Sequence, residues 1–148
     1  MHTHTLWAAR VAAGTVLPDK RLSARLACVL ETCAERPSDA IPHAAGSWGQ
    51  AKGLYRFLAN PRVRPAALHQ GLTSDTARQC LEQRTLLVVQ DTTSLNLTGC
   101  RVLPELGPIG SGNFAQGVLL HSPLALTEQG AVLGVLAGVY GKAMFKNP

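Results

Sequence analysis

The sequence predicts an α+β protein in which an N-terminal helical module precedes an incomplete antiparallel sheet of about three strands. Three observations carry this reading. Apolar residues recur at helical spacing up to about residue 84, short apolar runs bounded by turn residues fill the remainder, and charge divides along the same line. Residues 1–85 hold eleven basic side chains against six acidic ones, whereas residues 86–148 hold three of each. The net charge of +5 therefore belongs entirely to the helical half, the footprint of a module that meets a polyanion. Solvation of helix surfaces by the same arginines is the competing explanation. The expected domains are residues 1–84 and 85–148.

Composition narrows the class. A chain of 148 residues with 46% hydrophobic and 16% charged content is a folded protein of one domain or two small ones. No apolar run approaches the ~18 residues of a membrane span, so no membrane partner is expected. Met1 to Arg10 lacks the basic segment, apolar core and cleavage site of a secretory signal, which makes a cytoplasmic location the expectation. Cys28, Cys33, Cys80 and Cys100 form no CxxC pair. Cys28 and Cys33 lie roughly 140° apart around a helix, and buried thiols in a reducing compartment are expected. The five scattered histidines define no metal site.

From Lys20 to Arg36, Leu22, Leu26, Val29, Leu30 and Cys33 recur at helical spacing, with Asp19 placed to cap the start and Pro37 beyond the end. Arg21 and Arg25 stand one turn apart beside this stripe and could face a phosphate backbone together. Residues 38–45 suggest a short helix stopped by Gly46, and Ser47 could cap a second helix from Trp48 to Ala59 that Asn60-Pro61 ends. A short helix, a glycine turn and a longer helix together resemble a helix-turn-helix, whose second helix enters the major groove. Many helical hairpins have no such role. Trp48, Ala51, Tyr55 and Leu58 are the expected inner face, leaving Gln50, Lys52 and Arg56 as recognition candidates. Pro65 then opens a further helix to about Gln83, with Leu68, Leu72 and Cys80 turned inward.

The second half reads as strands. Leu86-Leu87-Val88-Val89 has no helical spacing and suggests a buried strand with Asp91 at its polar end. A carboxylate on a rigid element is a candidate metal ligand or nucleophile. Alternatively, Asp91 starts a turn or caps a neighbouring loop. A glycine- and proline-rich stretch from Thr98 to Gln116 follows. Gly117 to Leu126 and Ala131 to Tyr140 then flank Thr127-Glu128-Gln129-Gly130, a hairpin signal.

These residues carry a resemblance. Gln90-Asp91-Thr92-Thr93-Ser94-Leu95 resembles the first catalytic strand of bacterial cut-and-paste transposases of the insertion-sequence four and transposon five class. The resemblance takes in Pro18-Asp19-Lys20-Arg21-Leu22-Ser23-Ala24-Arg25-Leu26, Gly46-Ser47-Trp48, Gly53-Leu54-Tyr55-Arg56-Phe57 and Asn60-Pro61-Arg62-Val63. It continues through Leu106-Gly107-Pro108-Ile109-Gly110 to His121-Ser122-Pro123-Leu124, so it covers residues from about Val16 to Val139. It implies an end-DNA-binding domain followed by an RNase H-like core. Asp91 matches the first acid of the family's Asp-Asp-Glu triad, which binds Mg²⁺ or Mn²⁺. Arg21 and Arg25 match basic residues that grip transposon-end duplex DNA, and Arg56 falls in the Tyr-Arg-Phe motif of the same domain. Two hard cations about 3.5 to 4 Å apart would activate the attacking water or 3′-hydroxyl and stabilise the leaving oxygen.

The resemblance departs from the family at its end. The family's second aspartate and its glutamate would fall beyond Pro148, and neither Glu105 nor Glu128 matches a triad position. Residues 141–148 also lack the aromatic and basic pattern expected after the third strand. The implied protein is a transposase fragment that binds transposon ends without a complete catalytic site. A stand-alone DNA-binding inhibitor of transposition, which occupies transposon ends and blocks a full-length transposase through mixed complexes, is the alternative; self-association of the chain is a further expectation. An aspartyl-phosphate nucleophile of the haloacid dehalogenase type would need a second Asp two residues on, where Thr93 stands.

Overall fold

A computed structural model of the chain describes residues 3–100, 106–110, 114–137 and 139–141. It is an α+β structure with five helices, α1 (Thr3–Gly14), α2 (Lys20–Glu35), α3 (Ile41–Ala44), α4 (Trp48–Leu58) and α5 (Pro65–Cys80), followed by antiparallel strands. The strands are β1 (Leu86–Asn96), β2 (Gly107–Pro108), β3 (Gln116–Thr127), β4 (Val132–Val135) and β5 (Val139–Gly141). The chain divides into two compact units, residues 1–75 and 76–148. The helices-then-sheet order is the expected one. Glu105 and residues 142–148 lie outside the described residues.

In the first unit, local signals fix where helices start. The Asp19 side chain accepts the Arg21 amide at the head of α2, and Ser47 accepts the Gln50 amide at the head of α4. Each satisfies an amide that has no partner within its own helix. Between α3 and α4 the chain reverses through Gly46, whose φ of 69° falls in the left-handed region that glycine enters without a Cβ penalty. Ala12, Leu26, Val29, Leu54, Phe57 and Val63 form the core, so α1, α2, α4 and the segment after α4 share one apolar centre. Fully burying each leucine or phenylalanine contributes about 1.5–3 kcal/mol. Arg10 of α1 forms a two-point ion pair with Asp75 of α5, Nε and Nη2 lying 2.6 and 3.0 Å from the two carboxylate oxygens.

Several expectations for this unit are corrected. Helix α1 was not anticipated; its buried positions are Ala8, Val11 and Ala12. Alanine is common on buried and exposed faces alike, so it gives a weak amphipathic signal. On α4 the buried face is Ala51, Leu54 and Phe57, while Trp48, Tyr55 and Leu58 are 74%, 45% and 49% exposed. Both phases fit the apolar pattern; packing against α2 selected the one rotated toward Leu54. Cys33 is exposed rather than inward, as are Cys28 and Cys100, leaving only Cys80 buried among the four thiols.

In the second unit β3 is the central strand. β1 pairs with it antiparallel along its length, from Leu86 opposite Thr127 to Asn96 opposite Gly117. β2, β5 and β4 each pair with β3 as well. The hairpin forms where expected, with Gly130 at φ 84° and its amide donating to the Thr127 carbonyl at 2.9 Å. The second apolar run yields two short strands, β4 and β5, in place of one continuous strand. β1 is a strand, but it is not buried: all eleven residues are exposed, Leu86 to Val89 by 37% to 54%. An apolar sequence specifies a strand that tolerates burial; cover is a tertiary property that β1 alone does not encode.

Candidate nucleic-acid interface

Arg21 and Arg25 project from the exposed side of α2, one turn apart, and Arg56 from the last turn of α4. All three line one cleft of about 390 Å³, together with Asp19, Leu22, Gly53, Phe57, Asn60 and Arg62. Its lining combines two apolar side chains, Leu22 and Phe57, with four guanidinium groups. Among the described residues no ion pair neutralises Arg21, Arg25 or Arg56, so their charge is available to an anion. Arginine presents a planar fork of donors that matches phosphate oxygens two at a time. A cleft with several such forks, open to solvent, suits a polyphosphate chain.

Gly53 shapes the cleft. A Cβ built on it would meet Arg25 Nη1 at 3.3 Å and the guanidinium carbon at 3.7 Å. The absence of a side chain lets Arg25 lie against α4, which draws cations of two helices together. Glycine costs a helix interior about 0.5–1 kcal/mol relative to alanine, and here the close approach of Arg25 gives that cost a structural counterpart.

The other recognition candidates lie elsewhere. Gln50 is exposed at the start of α4, where its side-chain oxygen accepts from the Ser47 hydroxyl at 3.1 Å and its amide donates back to that hydroxyl at 3.3 Å. The Ser47 hydroxyl thus caps the Gln50 backbone amide and donates to the Gln50 side chain, which ties Gln50 to the turn. Gln50 and Arg25 also line a neighbouring pocket of about 130 Å³ with Cys28, Val29, Thr32, Ala45 and Leu54. Lys52 is exposed and lies one helical turn from both Trp48 and Arg56. Trp48, Lys52, Tyr55 and Arg56 thus make one outward stripe on α4. The stripe sets two exposed aromatic rings among two cations, and the cations are free to meet phosphates.

Sequence reasoning missed Arg62 and the outward aromatics. Asn60 ends α4 as the sequence suggests, and its Oδ1 also accepts the Arg62 backbone amide at 2.9 Å, which orients the chain there. An Asn two residues before an Arg is the signal that could have found it.

Asp91 lies on β1 opposite Ser122, its Oδ1 accepting the Thr92 amide at 2.7 Å. The strand runs on to Asn96, so Asp91 stands within it and starts no turn. Thr92 and His121 bond across the strands, Oγ1 to Nδ1 at 3.0 Å, on the face opposite Asp91 because side chains alternate along a strand. One carboxylate is a suitable hard oxygen ligand for Mg²⁺ or Mn²⁺, but such ions take six or more oxygens. Among the described residues no three His, Cys, Asp or Glu side chains gather as a metal site, so a bound ion does not fit Asp91 on these residues alone. No described helix is long and apolar enough to cross a membrane.

Every residue lining the four-arginine cleft falls between positions 19 and 62. The family model described as transposase DNA-binding matches residues 4–63, which supports a transposase DNA-binding domain over that span, with DNA as its partner.

Proposed function

We infer that this domain grips duplex DNA at transposon ends, as the end-binding module of a transposase of the insertion-sequence four and transposon five class. The observation that carries the reading is the convergence of Arg21, Arg25, Arg56 and Arg62 on one cleft inside the matched span. The cleft holds the phosphate backbone, and the outward stripe of α4, with Lys52 and Arg56 as its cations, meets the groove. Gln50, at the entry of the helix, reads base edges. Phosphate contacts position the duplex, whereas base-edge contacts discriminate between sequences.

On the same reading β1 opens an RNase H-like core and Asp91 is the first acid of an Asp-Asp-Glu triad. Asp91 would supply one of the six or more oxygen ligands that Mg²⁺ or Mn²⁺ takes, and no group of three such side chains forms among the described residues. One carboxylate cannot organise two metal ions, so the purified chain with either ion is expected neither to nick nor to join duplex DNA. Asp91→Ala should leave DNA affinity unchanged.

The test is fluorescence anisotropy of a labelled duplex with the full chain. Affinity should fall steeply as salt rises, because neutralised phosphates release counterions. Charge reversal at Arg21 and Arg25 should weaken binding to all sequences, whereas Gln50→Ala should reduce only the preference among them. Salt-independent affinity that survives Arg21→Glu would refute the grip.

A further inference from the structure

Arg62 differs from the other arginines of the cleft in having a carboxylate beside it. Its Nη1 lies 3.9 Å from Asp19 Oδ2, and the two side chains are 56% and 37% exposed. The other Asp19 oxygen, Oδ1, accepts the Arg21 amide at 2.8 Å and caps α2. The backbone of Arg62 is held independently by Asn60, and the next residue, Val63, is buried in the core. The root of the side chain is therefore anchored, while its head rests on a long and solvated ion pair. Such pairs are weak and screened by salt. A phosphate that offers two oxygens to the guanidinium fork makes a stronger contact.

We propose that Arg62 is a contact for the phosphodiester backbone of duplex DNA, and that Asp19 holds its guanidinium in the cleft until a phosphate takes the place of the carboxylate. The inference rests on the reading of the cleft as a DNA grip. It gives the second oxygen of Asp19 a role beside the cap that the first already makes. Asp19 caps α2 with one oxygen and occupies the phosphate position beside Arg62 with the other. The free cleft thus keeps Arg62 aimed where the backbone will lie, and binding exchanges one anion for another.

The experiment measures anisotropy of a fluorescein-labelled duplex of mixed sequence with the full chain, over a series of salt concentrations. Arg62→Gln should weaken binding several-fold and make the slope of log affinity against log salt shallower by about one, the value of a single phosphate contact. Arg62→Lys, which keeps the charge, should retain the slope. Asp19→Asn removes the carboxylate charge but keeps the cap, since asparagine caps a helix as well as aspartate does. It should tighten binding at low salt, and the gain should vanish when Arg62→Gln is added. An unchanged slope in Arg62→Gln overturns the contact. A gain from Asp19→Asn that persists without Arg62 overturns the latch, because it then reflects general charge. In either case, loss of binding in Arg21→Glu leaves the grip itself standing, whereas a wild-type chain with no salt-dependent binding removes the grip.

Discussion

Two arginines of the helical unit show how environment separates similar residues into different roles. Arg10 is committed to Asp75, whose side chain is only 5% exposed, through two short hydrogen bonds. Arg25 has a glycine beneath it and, among the described residues, no ion-pair partner. The first is structural and the second is open to a ligand. Asp75→Ala should lower stability by about 1–3 kcal/mol, the range for a hydrogen bond to a charged group, reduced because Arg10 is 39% exposed and regains water. Thermal denaturation of the variant checks this, and an unchanged midpoint would show that the pair contributes nothing. Charge counts in the sequence treat Arg10 and Arg25 alike; only the fold tells them apart.

At the scale of elements, α2 and α4 were legible because their ends are written in local chemistry. Asp19 and Ser47 accept amides within three residues of themselves, and Gly46 acts through its own left-handed φ, so no tertiary knowledge is required to place them. The rotation of α4 was not legible, because Trp48, Tyr55 and Leu58 compete with Leu54 and Phe57 for the same core. Helix α1 stayed hidden behind its alanines, and the exposure of β1 depends on what packs over it. Gly53→Ala tests the function assigned to α4. Alanine favours the helix by about 0.5–1 kcal/mol, and the exposed head of Arg25 can swing aside, so stability should hold or rise while DNA affinity falls. Parallel melting and binding curves measure both. If stability and affinity move together, the close approach of Arg25 has no role in binding.

Across the whole molecule, the division of charge in the sequence matches a division of labour. Positive charge is concentrated in the helical half, and the family match covers residues 4–63 of it. Helical spacing pairs Arg21 with Arg25 on one face of α2 and puts Arg56 on a separate helix; the convergence of that pair with Arg56 and Arg62 on one cleft required the fold. In the sheet unit, β1 pairs with β3 on one edge, and its leucines and valines face solvent. A long apolar strand with an open edge promotes association. The chain should therefore show concentration-dependent self-association by analytical ultracentrifugation, reduced by Val88→Lys, whereas a strictly monomeric chain would mean that β1 is covered in solution. Amide proton–nitrogen correlation NMR during titration with duplex DNA shows whether the arginine cleft is where the duplex lies. Shifts should concentrate on Arg21, Arg25, Lys52, Arg56 and Arg62, with the resonances of β1 and β3 unmoved. Shifts confined to the strands, or none along α2 and α4, would contradict it.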